Sequence, residues 1–567
     1  METTIITRWA RRAARASSAL ALSLTASAAL AQAPAQPAGQ VQSQNLRALD
    51  LWSAAGRDAG LPDTLWRHTS PELARAVLTV LPDRPLSPAM AALARRVLAT
   101  GANAPEGAGS DLALAALRVR ALVALGDLSA AESILARTSG IETSEPMSRE
   151  KAEVALLAGR DAEACETGRN LQEGRDGPWW LKLRAYCSFV DKQTAAAQVT
   201  VDLWRQGGGR GPAFERLMNA AINGTPAGKP ALDEPLVFAL SHRLGLDLTA
   251  AVPTAPMPET VALARDPNTP QAARLEAVAR ALRLDAVPVQ AVRDAYVAAQ
   301  GAPTAPPPGA GPGWAATPTP PPALATVAAD PSAAGEAGLY VIAAQSHDLS
   351  EREQAISALL GRSKTNIDFL ALSRLVAPAI ADFMQAKPAL RDPVLFATAS
   401  AMAGDVRTAS AIRVSIQQGQ SPTSAPLDLA LLDALISVQT GKGVEAALDR
   451  LIERGGAGDP KDRARAQAAA LLLADLDVEM SPGALAELAS FDLAPAHASP
   501  ARLAALDAAA SDHRMGEAAL VALAIAEQAP QGLTVADRAA IAAALHRSGL
   551  HRDAAETTAQ GLLAYIK

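Results

Sequence analysis

The chain has 567 residues, of which 49% are hydrophobic, 19% are charged and only 3% are aromatic, and it contains 38 glycines, 40 prolines and two cysteines. This length predicts two to four domains or one long repetitive array. The composition excludes wholesale disorder, a disulfide-rich miniprotein and a collagen-like fibre.

Residues 1–31 have the pattern of a secretory signal peptide. Four arginines precede an apolar stretch that ends in the small-x-small sequence Ala29–Ala31. A basic start, a short apolar run and such a site are the order that export requires. An ordinary amphipathic helix is disfavoured because residues 17–31 carry no charge, and the run is shorter than the roughly 20 residues of a membrane span. The sequence therefore predicts cleavage after Ala31 and a periplasmic protein without a membrane span.

The charge of the chain narrows the classes of partner. Its formal charge is −6, and removal of a leader with four arginines and one glutamate lowers it to −9. An acidic surface repels the phosphates of nucleic acids and of anionic lipids. We therefore expect neither nucleic acid nor a membrane surface as a main partner.

Hydrophobic periodicity predicts an all-α fold. Beyond a flexible Ala/Pro/Gln-rich spacer at 32–42, apolar residues recur at helical spacing. One stripe comprises Leu114, Leu117, Ala121 and Leu125, with Arg118 and Arg120 off the stripe. Alternating runs of Val, Ile, Thr and Tyr are absent, so no strand is predicted.

Five Ser/Thr-Pro pairs mark helix starts, because the hydroxyl accepts a free backbone N–H and proline at the first position loses no hydrogen bond. The pairs are Ser70-Pro71, Ser87-Pro88, Thr269-Pro270, Ser481-Pro482 and Ser499-Pro500. The helices between such starts and the glycine-rich stops are about 10–16 residues long with short turns, which is typical of antiparallel helical hairpins.

Three successive turns are evenly spaced along the chain. Gly126 and Gly159 end helices at equivalent places, Lys192 occupies the third such place, and an alanine follows five positions after each. The same offset from glycine to alanine recurs after Gly404, Gly441 and Gly549.

This arrangement resembles the tetratricopeptide repeat, a unit of about 34 residues with a turn glycine and a small residue in the second helix. The resemblance is clearest for residues 110–206. The large aromatic positions of that family are mostly absent, so the resemblance is to a degenerate, tetratricopeptide-like α-solenoid. Residues 61–66 and 179–187 also resemble exported helical-repeat proteins of α-proteobacteria, whose function is unknown. These resemblances imply stacked helical hairpins and imply no activity.

A proline-rich segment predicts the main boundary of the chain. Residues 301–322 contain nine prolines and no charge, a composition typical of an extended linker. We therefore predict two helical-repeat lobes, 43–300 and 323–567. The alternative is one continuous solenoid with a long surface loop.

The two cysteines predict a disulfide. Cys165 and Cys187 lie at equal distances from Asp176, in the middle of a turn. Residues equally far from the turn of an antiparallel helical hairpin lie at the same height, so a bond between them is geometrically plausible. Two such cysteines pair in an oxidising compartment. The alternative is two buried free thiols.

The sequence offers no motif for catalysis, cofactor binding or metal binding. The closest histidines, His546 and His551, lack the i,i+4 spacing of a zinc helix, so we interpret the histidines as polar surface residues. Residues 475–479 begin like a calcium loop but lack its glycine and its bidentate glutamate. Residues 207–211 are glycine-rich, but no strand precedes them and no Lys-Ser/Thr follows. We predict no catalytic, cofactor-binding or metal-binding residues.

Trp179 and Trp180 are the strongest aromatic feature. Adjacent helical residues cannot both face one side. We therefore predict that at least one ring packs beside the cysteine hairpin, while the other is a possible anchor for a partner.

Together these patterns predict a non-catalytic periplasmic scaffold or adaptor that binds other envelope proteins through the grooves of its helical repeats, in a motility, adhesion, secretion or cell-wall machine. Two alternatives stay open. One is a cell-wall-associated enzyme, or its regulatory subunit, whose catalytic residues do not form a recognisable sequence motif. The other is a glycan- or peptide-binding protein, against which the low aromatic content argues.

Overall fold

A computed structural model describes residues 50–83, 86–300, 322–420, 424–474, 476, 478–529 and 532–566. In these ranges the regular structure is α-helix with short 3₁₀ turns, and none of it is β-strand, which confirms the all-α prediction. The predicted signal peptide and spacer and residues 301–321 lie outside the described residues, as does part of the calcium-like segment.

The helices of the first half are α1 (Pro71–Val80), α2 (Pro88–Ala99), α3 (Leu112–Ala124), α4 (Leu128–Leu135), α5 (Glu145–Leu157), α6 (Asp161–Asn170), α7 (Pro178–Val190), α8 (Thr194–Gln206), α9 (Pro212–Asn223), α10 (Pro235–Arg243), α11 (Met257–Arg265), α12 (Gln271–Arg283) and α13 (Val289–Gln300). Short 3₁₀ helices span Leu51–Ser53, Leu81–Asp83, Ile141–Thr143 and Thr249–Thr254.

The helices of the second half are α14 (Leu324–Ala329), α15 (Ala333–Gln345), α16 (Leu349–Gly361), α17 (Asn366–Phe383), α18 (Pro393–Met402), α19 (Val406–Gln417), α20 (Pro426–Thr440), α21 (Val444–Gly456), α22 (Pro460–Ala474), α23 (Pro482–Leu488), α24 (Pro500–Ser511), α25 (Met515–Ala526), α26 (Val535–Arg547) and α27 (His551–Leu563). A 3₁₀ helix spans Met384–Ala386.

Four of the five Ser/Thr-Pro pairs begin a helix as predicted. In α1, α2, α23 and α24 the proline is the first helical residue, and the preceding serine accepts the backbone N–H three residues on. The fifth prediction was wrong by one position, because α12 begins at Gln271 with Pro270 as its cap. Thr269 is buried instead, with 4% of its surface exposed.

The three evenly spaced turns share one backbone conformation. Gly126, Gly159 and Lys192 all have positive φ, at 76°, 68° and 61°. This left-handed region suits glycine and costs a lysine some strain. The alanine five positions after each turn is fully buried where two helices approach. The geometry is repeat-like, while membership of a repeat family stays a prediction.

The first helices of the chain pack against the last ones. Helix α1 contacts α25, and α2 contacts both α25 and α27. The N–H of Gly516, in α25, donates to the carbonyl of Leu65 over 2.9 Å. A Cβ at Gly516 would lie 2.6 Å from the ring of Trp66, so this close approach requires glycine. The largest buried cluster accordingly draws on residues 52–281 and 506–554.

Helices on the two sides of residues 301–321 also pack together. Helix α12 contacts α15 and α17, and α13 contacts the same two helices. The buried Tyr296 donates to Glu336 over 2.6 Å, and Arg283 donates to the same carboxylate over 2.5 Å. The described residues from 50 to 566 belong to one compact unit. The division into lobes 43–300 and 323–567 stays a prediction.

Arg118 departs from the surface position that its place off the apolar stripe suggests. It is 1% exposed, and its guanidinium lies over the ring of Trp52. It donates to the carbonyls of Leu98, Trp52, Ala54 and Thr100 over 2.7–3.1 Å. Burial lowers the pKa of Arg118 to about 9. The side chain therefore satisfies main-chain acceptors that would otherwise be buried without a partner.

Candidate functional site

The disulfide hairpin is formed by α6 and α7. Cys165 and Cys187 are bonded, with their Cα atoms 5.7 Å apart, as the sequence predicts. The bond fixes the register of the two helices, because Cys165 lies one helical turn after Asp161 and Cys187 directly follows Tyr186. It therefore positions two side chains that line the neighbouring groove.

Both tryptophans of this hairpin are buried. Trp179 is 9% exposed and Trp180 is 4% exposed, and the two rings meet edge to face at 4.7 Å. The indole N–H of Trp180 donates to Glu145 over 2.8 Å, and Arg149 lies over the ring of Trp179. Both rings thus pack within the chain, and neither has a large exposed face. A role as partner anchor stays a prediction.

A groove of about 500 Å³ lies beside this hairpin. We name it the disulfide-side groove. It is lined by residues from α4, α5, α6, α7, α10, α11 and the turns that follow α5 and α11. They include Leu128, Glu132, Leu156, Arg160, Asp161, Tyr186, Phe238, His242, Arg243, Ala262, Arg265, Asp266 and Asn268.

Exposed ion pairs form the rim of the disulfide-side groove, and apolar side chains such as Leu128, Leu156 and Phe238 line it as well. Arg160 donates to Glu132 over 2.9 Å, and Arg243 donates to Asp161 over 2.9 Å. The cations of both pairs are more than 40% exposed, so water screens these interactions. Because these ion pairs are weak, their charged side chains can instead pair with the polar groups of a bound molecule.

Tyr186 lies at the wall of the disulfide-side groove. It is fully buried, and its phenolic oxygen is closed off from solvent beside the carboxylate of Asp161. Burial and that carboxylate raise the pKa of Tyr186 above its usual value, so the proton stays on the oxygen. The hydroxyl is directed at Asp161 and not at the open space of the groove, so Tyr186 shapes the wall.

A second polar region lies between α2, α12, α17 and α27. We name it the central charged cavity, and it comprises two neighbouring spaces of about 770 and 510 Å³ that share Arg57, Arg95 and Asp285. Their walls include residues of α2, α11, α12, α13 and α27, and Arg374 of α17 contacts Asp285 from outside them. Arg95 donates to the carbonyls of Leu125, Leu284 and Asp285. Its guanidinium thereby ties α2 to the ends of α3 and α12.

Further ion pairs extend this network to the C-terminal helix. Arg374, in α17, donates to Asp285 over 2.7 Å and to Glu556, in α27, over 2.8 Å. Arg96, in α2, pairs with Asp553, which is 4% exposed. Burial raises the pKa of both acids, Asp553 and Glu556. The cations and carboxylates of this region pair with one another, and the pairs connect α2, α17 and α27. We therefore interpret the central charged cavity as a structural junction between helices.

Three buried or half-buried carboxylates lie on α5 and α11. Glu150 is 7% exposed and Glu259 is 2% exposed, and each has an oxygen without a hydrogen-bond partner. Burial raises the pKa of Glu259 to about 8, and the nearby Glu153 adds to the rise. Burial also raises the pKa of Glu150 and of Glu153. At neutral pH Glu259 is therefore mostly protonated.

The structure brings His546 and His551 together although their spacing is not that of a zinc helix. Their Nδ1 atoms lie 3.3 Å apart across the turn between α26 and α27. Among the described residues, no group of three or more His, Cys, Asp or Glu side chains is placed to hold a metal ion. In the same ranges no helix has the length and hydropathy needed to cross a membrane.

The sequence did not indicate the residues of the disulfide-side groove, because they come from six different helices and the turns beside them. The available signal was local: Arg160 and Asp161 directly follow the repeated turn at Gly159, and Arg265 and Asp266 end α11. Charged residues at the ends of packed helices collect at one edge of a helical array. Comparison with protein-family models, curated proteins and solved structures finds no match to this chain.

Proposed function

We propose that the chain is a non-catalytic scaffold or adaptor of the periplasm, which binds other envelope proteins in grooves between stacked, tetratricopeptide-like helical hairpins. The observation that carries the proposal is the disulfide-side groove. Its volume of about 500 Å³ falls in the range of binding clefts. A lining of apolar side chains and exposed charges of both signs suits an extended segment of another protein, which presents apolar and charged side chains in turn.

Two independent features support the compartment. The sequence of residues 1–31 has the pattern of a signal peptide. The bonded pair Cys165 and Cys187 fits an oxidising compartment, since structural disulfides are rare in the cytosol. The expected setting is an envelope machine for motility, adhesion, secretion or wall assembly.

We further infer that the helices before and after residues 301–322 belong to one continuous array, which corresponds to the one-array alternative of the sequence analysis. Support comes from the bonds of Glu336 to Tyr296 and Arg283, because these residues lie on opposite sides of that segment. A continuous array offers a partner one fixed arrangement of grooves rather than two independently moving halves.

Affinity purification from a solubilised envelope fraction tests the proposal. The mature chain should retain a small set of specific proteins. Retention on purified cell-wall material, with no protein enriched, would overturn it in favour of glycan binding. Hydrolysis of wall material by the purified chain would overturn it in favour of an enzyme.

A further inference from the structure

A smaller cavity of about 220 Å³ lies where α2 meets α17, α22, α26 and α27. We name it the Arg538 cavity. Six apolar side chains contribute to its walls: Ile367, Leu370, Leu472, Leu533, Val535 and Leu563. It is separate from the disulfide-side groove and from the central charged cavity.

Arg538 places an unpaired guanidinium in this cavity. Its Nη1 is buried and has no hydrogen-bond partner, and the described residues provide no carboxylate within ion-pair distance. Burial lowers the pKa of Arg538 below its usual value, but an arginine stays charged at neutral pH. Arg538 is half-buried as a residue, but its Nη1 is buried, and leaving such a charged donor without an acceptor is costly. The cost is offset if an anion occupies the cavity.

Gln560 adds a second donor with a fixed orientation. It is 8% exposed, and its Oε1 accepts the N–H of Ala89 over 3.0 Å. Exchanging the oxygen and nitrogen of the amide would set an N–H₂ group against that N–H, so the oxygen must face Ala89. The Nε2 is therefore left as the group without a partner.

Gly561 makes room for the arginine. A Cβ at this position would lie 2.5 Å from the Cδ of Arg538 and 2.8 Å from Leu472. With glycine there, the stem of Arg538 crosses the face of α27 and its head group reaches the cavity. The cation is thus held in an apolar enclosure by the local packing.

We propose that the Arg538 cavity binds a monocarboxylate with a short apolar chain, with the carboxylate oxygens on Arg538 and Gln560 and the apolar chain against the leucine-rich wall. Two unpartnered donors select an acceptor-only head group, and the charge of Arg538 selects an anion. The cavity holds the volume of roughly seven waters, which corresponds to a carboxylate with about six carbons. This inference does not depend on the proposed function.

Isothermal titration calorimetry of the full chain with hexanoate tests the site. The neutral hexanamide and the cationic hexylamine are the comparison ligands. We expect saturable hexanoate binding, weaker binding of hexanamide and none of hexylamine. Absence of hexanoate binding, or equal binding of hexanoate and hexanamide, would overturn the proposal.

Two variants locate the binding in this cavity. Arg538→Met keeps the stem and removes the charge, and should weaken hexanoate binding by about tenfold or more. Gln560→Glu places a carboxylate in the cavity and should block binding while circular dichroism stays unchanged. Arg407→Met, on the exposed face of α19, is the matched control and should bind as the parent chain does. If either cavity variant bound hexanoate as the parent chain does, the proposal that hexanoate binds in this cavity would be wrong.

Discussion

Arg374 and Glu556 lie 182 positions apart, yet the Nη2 of Arg374 donates to the Oε1 of Glu556 over 2.8 Å. The other terminal nitrogen of the same guanidinium donates to Asp285 over 2.7 Å. One side chain of α17 thereby joins α27 to the turn between α12 and α13. All three residues are 21–32% exposed, so water screens these pairs only in part.

We expect Arg374→Met to lower the free energy of unfolding by about 2 kcal/mol, because two partly buried carboxylates lose their cation. Urea unfolding followed by circular dichroism measures the change. The exposed Arg407→Met is the control and should shift the free energy by less than about 0.5 kcal/mol. If both variants unfold alike, the junction has no special role in stability.

A larger loss is expected at Arg118. Arg118→Met leaves four buried carbonyls without their donor and should lower the free energy of unfolding by about 3 kcal/mol. Arg118→Lys should recover only part of this loss, because an ammonium lacks the planar fork that reaches all four acceptors. Thermal unfolding of both variants tests the predicted order of stability, in which the parent chain is most stable and Arg118→Met is least stable. A lysine variant as stable as the parent chain would contradict this account of the site.

The buried carboxylate Glu259 predicts that the chain loses stability as the pH rises. Its pKa is about 8 in the folded chain, against about 4.3 for an unperturbed glutamate. The folded state therefore binds the proton more tightly, and its contribution to stability is complete below about pH 4.3 and declines until about pH 8. Glu153, Asp233 and Glu234 face the group and act in the same direction.

Glu259→Gln should reduce this decline and should stabilise the chain at pH 8.5, by an amount on the order of 4 kcal/mol. Urea unfolding at pH 5.5 and at pH 8.5 gives the comparison. The exposed Glu106→Gln is the matched control and should leave the pH dependence unchanged. An equal loss of stability with pH in parent and Glu259→Gln chains would show that this carboxylate is not the cause.

Loss of the disulfide should lower the free energy of unfolding of the chain. The cysteines are separated by 22 positions, and a closed loop of this size contributes roughly 3 kcal/mol in the chain-entropy model. The double variant Cys165→Ala/Cys187→Ala should lose about this much, and reduction of the parent chain should have the same effect. Guanidinium unfolding with and without a reductant provides the test. A parent chain that is insensitive to reductant would contradict the prediction.

The sequence predicted features that depend on neighbouring residues and missed those that depend on distant ones. The serine caps and the Cys165–Cys187 pair follow from helix ends and from equal distances to a turn, and both are local quantities. The burial of Arg118 was missed because its acceptors are main-chain carbonyls. Every residue has such a carbonyl, so no residue type in the sequence indicates these acceptors. The joining of Arg374 to Glu556 was missed because nothing in either segment indicates that α17 meets the last helix, α27. The groove and the Arg538 cavity depend on that same long-range packing.

The proposed function depends most directly on whether a protein partner occupies the disulfide-side groove. Asn268 lies exposed at the rim of the groove, and the side chain of Arg391 is 71% exposed at a position that does not line it. A photo-crosslinking residue placed at each site in turn, activated in intact cells and followed by mass spectrometry, gives the decisive comparison. We expect a discrete envelope protein crosslinked from position 268 and not from position 391. Equal labelling from both positions, or none from 268, would contradict the account.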